Sequence, residues 1–321
     1  MREFLTKVPI PTAGVALGLA ALGILLKDFS TIAYAACGVC SLLFVLLVAG
    51  RLATDTAGVR DDFENPILAS VSATFFMAIM QLSTYLAPFA HTAAFVIWGC
   101  AIAAHVALIC WFTAHHVRDF DLKKVFPTWF ICYVGIIVAS VSSPTYGMET
   151  LGMALFWFGF VAYAVLLVMV SVRYIKHEVP EGARPLFCIY TAPMSLSLAG
   201  YLATADVPNA AFACTLAVLA QILLIVVLIR LPHFLRLPFY PSYAAMTFPF
   251  VITATALNRT LSMLADAGVA YPGILHAVVI AEIILACAMV GYVFARYLVH
   301  FAKTARGLAV EHRAIRVAAA E

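Results

Sequence analysis

Charge is what this sequence has least of. Lys, Arg, Asp and Glu make up 11% of its 321 residues, against about 25% in an ordinary soluble domain, and they are missing from stretches of twenty or more positions. A soluble surface cannot be built from so few charges. The net charge of +3 is also too small to imply a polyanion, which argues against nucleic acid as a partner. Catalytic patterns are missing as well. There is no HExxH helix, no Walker lysine loop, no nucleophile elbow and no strand–glycine-loop–helix unit, so no enzyme, cofactor or metal is implied. Eight cysteines are present, but all lie in apolar segments. The single CxxC, Cys37 and Cys40, has no second pair, so these residues are expected as small buried hydrophobes.

What the sequence does have is apolar length. Hydrophobic residues are 64% of the chain, the mean hydropathy is +1.02, and the runs reach the roughly twenty residues that cross about 30 Å of hydrocarbon as a helix. They predict an all-α integral membrane protein with ten spans near 8–26, 31–50, 66–87, 91–113, 127–145, 149–173, 185–204, 209–230, 241–265 and 272–299. The first run superficially resembles a secretory signal. Pro9 and Pro11 open it, and Lys27 and Asp28 follow it without a small-residue cleavage site, so it is expected as a retained span.

The basic residues test this division. Seventeen of the nineteen Lys and Arg residues fall in the amino tail, the 2–3, 4–5, 6–7 and 8–9 loops or the carboxyl tail, leaving only Lys27 and Arg259 on the other side. Cytoplasmic loops retain positive charge, so both termini are expected in the cytoplasm of an inner (plasma) membrane protein. Residues 1–300 then form one transmembrane domain, and 301–321 a basic cytoplasmic tail.

A repeat accompanies the charge pattern. Pro9, Pro66, Pro127, Pro185 and Pro241 open spans one, three, five, seven and nine at intervals of 57, 61, 58 and 56 residues, which reads as five helical hairpins. Eight residues further on stand Pro193 and Pro249, with Gly135 at the matching place in span five and Gly18 beside it in span one; these are kink or close-packing positions. The odd spans carry the hydroxyls, including Thr74, Ser140, Thr191, Ser195, Thr247 and Thr253, whereas the even spans are almost wholly apolar. The odd helices are therefore expected to line a central passage and the even ones to face lipid. A lining of hydroxyls and backbone dipoles, nearly free of charge, suits an anion bound weakly enough to be released. Phe248, just before Pro249, is placed to obstruct it.

Inside the spans the ionisable groups are few. Arg259 and Glu282 stand at similar distances from the turn near Ala270 and are expected to pair across adjacent helices. His105 is the only histidine near mid-membrane and is expected as a packed neutral ring. A membrane-embedded redox enzyme using it is the alternative of a different class.

Three stretches resemble a known family. PIPTAGVALGLAALG, Pro9 to Gly23, resembles the first helix of the tellurite-resistance TehA proteins. TFPFVITATAL, Thr247 to Leu257, resembles the ninth helix of the plant slow anion channels, and APMSLSLAGYLA, Ala192 to Ala203, is similar to their seventh. With the hairpin plan, the resemblance covers residues 8–300. It implies a homotrimer whose protomers each hold a pore on a quasi-fivefold axis, lined by odd helices, occluded by Phe248 and passing small inorganic anions such as chloride or nitrate, or small organic anions. The family also includes carriers for malate and other C4-dicarboxylates and sulfite exporters, so a carrier for malate, sulfite or tellurite is the alternative. The sequence departs from the family where inner prolines are common: span one has Val15, Ala16 and Leu17, and spans three and five have Thr74 and Gly135.

Overall fold

The computed structural model of the chain describes residues 2–118 and 120–318, with side chains through His312. The described residues form an all-helical protein: α1 (Arg2–Thr6), α2 (Thr12–Leu26), α3 (Thr31–Thr54), α4 (Thr56–Phe63), α5 (Pro66–Val71), α6 (Ala73–Leu86), α7 (His91–Phe112), α8 (Thr128–Tyr133), α9 (Ile137–Ser142), α10 (Glu149–Lys176), α11 (Ala192–Thr204), α12 (Ala210–Leu235), α13 (Phe248–Asp266) and α14 (Ile274–Ala318). Glu181–Thr191 and Pro241–Met246 are 3₁₀ segments leading into α11 and α13. Seven stretches are long and apolar enough to cross a membrane: Thr31–Thr54, Pro66–Leu86, His91–Val117, Glu149–Lys176, Glu181–Thr204, Ala210–Leu235 and Ile274–His312. The other three expected spans hold shorter pieces. Local chemistry sets the ends. Ser30 accepts from the Ala33 N–H at 3.2 Å and Asn209 from the Phe212 N–H at 3.0 Å, each satisfying an orphan donor at a helix start. Gly147 at φ 64° closes the turn before α10.

The two expected helix classes differ in continuity. Spans two, four, six, eight and ten are single helices (α3, α7, α10, α12, α14), whereas four of the five odd spans are interrupted midway. In span three the break falls at Ser72, where the Ser72 and Thr74 hydroxyls turn back to the carbonyls of Ala69 and Val71 at 2.6 and 2.7 Å and so compete with the helical ladder. In span five the N–H groups of Val134 and Gly135 share the Phe130 carbonyl. A Cβ on Gly135 would lie 2.2 Å from the Ile131 oxygen, a winding open only to glycine. Pro193 and Pro249 do not bend continuous helices, as expected from sequence. They stand in the first turns of α11 and α13, where a missing N–H costs least. Gly18 lies within unbroken α2 and, of the two expected roles, takes that of a close-packing position.

The interrupted segments are the interior. α2 touches α6 and α13, α6 touches α9, α9 touches α11, and α11 touches α13, so that the sequence of neighbours closes on itself. α2 and α11 are buried along nearly their whole length. The long helices instead turn Ile32 and Leu46 (α3), Val161 and Val168 (α10), Ile222 and Ile229 (α12) and Ile280 and Ile284 (α14) outward. Apolar faces of that extent are solvated by lipid, not water. The last span and the start of the expected tail share one helix. α14 continues through Ala318, and His312 meets Glu3 of α1. Residues 319–321 and the side chains of Arg313 and Arg316 lie outside the described residues.

Candidate functional site

Two cavities occupy opposite ends of the interrupted segments. The first, of about 370 Å³, takes its lining from their beginnings: Pro11, Gly14 and Leu17 of span one, Ile67 to Met77 of span three, Phe130 to Gly135 of span five, then Ala192, Pro193 and Leu196, and Phe248 and Pro249. The second, of about 380 Å³, takes its lining from their far ends, with Lys27 after α2, Gln81 and Thr84 of α6, Ser142 at the end of α9 and Thr145 beyond it, and Arg259 of α13. They share no lining residue. The furthest residue each segment lends to the first cavity is Leu17, Met77, Gly135, Leu196 or Pro249, so Phe248, with only 5% of its surface exposed, belongs to the inner end of that lining.

Packing explains why the ring stands there. Gly18 lets α2 approach the break before α13 so closely that a Cβ on it would lie 2.5 Å from Thr247 Cβ and 3.1 Å from the Phe248 nitrogen. The Thr247 hydroxyl also reaches the Gly14 carbonyl at 3.1 Å. Small residues four apart on one helix allow this approach, a packing device of membrane helices. At the open end, Ser242 donates to the Gly182 carbonyl at 2.5 Å and Tyr240 to Glu181 at 2.7 Å, joining the two 3₁₀ segments. The bond to Glu181 raises the Tyr240 phenol above its ordinary pKa, because the proton given to the carboxylate is harder to lose.

The expected hydroxyl lining is distributed differently. Thr74 does line the first cavity. The other five line neither cavity and are spent between or within helices. Ser140 donates to Gly152 at 2.6 Å, and Thr247 bonds as above. Thr253 donates to the Pro249 carbonyl at 2.8 Å, with the hydroxyls of Thr191 and Ser195 each 3.0 Å away. The first cavity is accordingly apolar for most of its depth. Leu17, Met77, Phe130 and Leu196 are lining residues that sequence reasoning missed, since an apolar residue on an inner helix carries no signal separating cavity from core.

The expected ion pair is not formed. Arg259 lines the second cavity and reaches the Ala199 carbonyl at 3.5 Å, while Glu282 is 5% exposed with both carboxyl oxygens lacking a hydrogen-bond partner. Equal distance from a turn fixes depth but not direction, and the two side chains leave their helices on different sides. His105 is fully buried and bonds through Nε2 to the Cys132 carbonyl at 2.9 Å, the packed ring expected from sequence. Among the described residues no cluster of three metal-ligating side chains occurs.

Unbroken helices with apolar outer faces, wrapped around interrupted inner segments that hold a cavity at each end, define a polytopic helical membrane protein. The profile of the voltage-dependent anion channel (SLAC1) family matches residues 7–298, and the chain belongs to that family. This is the family of the tellurite-resistance and slow anion channel proteins whose first, seventh and ninth helices the sequence resembles, and its members are channels and transporters. No curated protein matches the chain.

Proposed function

We propose that the chain is a passive channel for small monovalent anions such as chloride and nitrate, gated by Phe248. Ten spans in five hairpins would form a quasi-fivefold ring, with α2, α5–α6, α8–α9, residues 181–204 and residues 241–266 around the pore axis. The closed circuit of neighbours among these segments supports this arrangement. The observation that carries the gate is the first cavity. Each inner segment contributes to it, and Phe248 belongs to the inner end of its lining, which shares no residue with that of the second cavity. An apolar ring there blocks ions both sterically and by excluding the water that would hydrate them. α6, α11 and α13 begin beside the cavity, with Thr74, Pro193 and Pro249 among its lining. Their positive ends supply attraction without the tight binding of a fixed cation. The loop charges support cytoplasmic termini, and the resemblance implies a homotrimer with one pore per protomer.

Phe248→Ala is the test. In planar bilayers the variant is expected to pass large chloride and nitrate currents while remaining folded. A silent variant destabilised by about 3–5 kcal/mol would mean that the ring is packing and not a plug. Saturable, pH-coupled flux of malate or sulfite in place of channel currents would establish the carrier.

A further inference from the structure

The second cavity gathers the charges that broke the loop pattern. Lys27 and Arg259, the two cations outside the basic loops, both line it, and no Asp or Glu does. Among the described residues neither forms an ion pair. Lys27 is held by an aromatic ring, its Nζ 5.7 Å from the centroid of Tyr34. That ring in turn stacks on Tyr85 at 4.2 Å, and Tyr85 is tied to the Ala20 carbonyl at 2.6 Å. Arg259 has one arm near the Ala199 carbonyl, which leaves most of its five N–H donors uncommitted.

A third group makes the cavity a site rather than a charged rim. Gln81 is 4% exposed and lines the cavity, yet its carboxamide has no hydrogen-bond partner among the described residues. The amide is therefore available to a ligand in the cavity as a hydrogen-bond donor. Of the hydroxyls lining the cavity, Thr84 gives its proton to the Gln81 carbonyl and Ser142 to the Val138 carbonyl, while those of Tyr34 and Thr145 also face it. Facing the space are an ammonium, a guanidinium and an amide, beside the His91 ring whose Nε2 meets the Thr145 carbonyl at 3.2 Å, with no carboxylate to compete.

We propose that Lys27, Gln81 and Arg259 form a binding site for a small monovalent anion at the mouth opposite the Phe248 cavity, where it concentrates anions before they enter the pore. The inference rests on the channel reading for its role in conduction, but not for the binding itself. Cationic heads that only reached for lipid phosphate would point out of the bundle. Here both line, with Gln81, one open cavity of about 380 Å³, which has room for a small anion to enter and leave.

The test has two arms. In the Phe248→Ala background, the double variant Lys27→Gln/Arg259→Gln is expected to lower current carried by nitrate from the Lys27 side by roughly three- to tenfold at low ionic strength, with the difference vanishing near 1 M salt. The equal charge change Arg230→Gln/Lys303→Gln, at the other end of the helices, is expected to leave that current unaltered. The second arm needs no conduction: nitrate, titrated against sodium gluconate at constant ionic strength, is expected to raise the Tm of the otherwise unaltered protein saturably. Gln81→Leu and the double variant are both expected to abolish that rise. A nitrate-dependent Tm unchanged by either variant, or a conductance loss equal at low and high salt, overturns the site. A Phe248→Ala protein that binds nitrate without conducting would overturn the channel and leave the site standing.

Discussion

Gly18 carries more of this structure than its size indicates. A Cβ there would press on the Thr247 side chain and on the backbone nitrogen of Phe248, so Gly18→Ala must push α2 away from the break that presents the ring. The expected cost is about 1–3 kcal/mol, read as a lowered Tm. Gly99→Ala, whose Cβ would meet nothing within 4 Å, is the control and should stay within about 0.5 kcal/mol of the original. Glu282 is the opposite case, a buried carboxyl with no partner. Glu282→Gln should hold or raise the Tm, and a loss above about 1 kcal/mol would reveal a bond that the carboxyl makes. Because Arg259 and Glu282 do not meet, the two changes to Gln should add to within about 0.5 kcal/mol in a double-mutant cycle.

At the scale of elements, interruption marks four of the five inner spans and none of the outer ones, with α2 the unbroken exception. α11 and α13 begin at second prolines, α6 begins after a serine that turns back on its own backbone, and α9 begins after a glycine wound too tightly for a side chain. The hydroxyls of these segments serve their packing. Thr253, between α11 and α13, stands 3.0 Å from both Thr191 and Ser195. Thr253→Val keeps the shape and removes the bonds. It is expected to cost about 1–2 kcal/mol of stability while chloride and nitrate permeate the Phe248→Ala channel in an unchanged ratio. A shifted ratio would return Thr253 to the pore lining. Of these element features, Gly135, Pro193 and Pro249 were legible at constant spacing. The break at Ser72 was not, because a serine in an apolar helix usually bonds back without ending it.

For the whole molecule, the outward apolar faces of α3, α10, α12 and α14 require lipid, and the proposed orientation follows from the loop charges. Cysteines introduced near Ala90 and Asp206 are expected to react with an impermeant maleimide from outside intact cells, and cysteines near Arg60 and Glu178 only after permeabilisation. Labelling of the first pair from the cytoplasm alone would overturn the hairpin assignment. The expected ten spans met seven long apolar stretches because α2 has only fifteen residues, span five is divided into two six-residue helices, and α13 carries Asn258 and Arg259 within nineteen residues. Hydropathy counts uninterrupted length, and a buried inner segment need not supply it.

The sequence by itself determined the solvent and the alternation: too little charge for water, apolar runs of membrane length, a proline every 56 to 61 residues, and basic residues on alternate loops. Those are one-dimensional properties, set by composition and spacing. Direction and long-range neighbours belonged to the tertiary structure alone. It turned five hydroxyls into packing contacts, separated Arg259 from Glu282, and brought Arg259 to the same cavity as Lys27. It also set Thr247 against Gly14 across 233 residues. Periodicity says that a side chain leaves a helix on the inner face. Only the packed neighbours decide whether that face meets another helix or an open cavity.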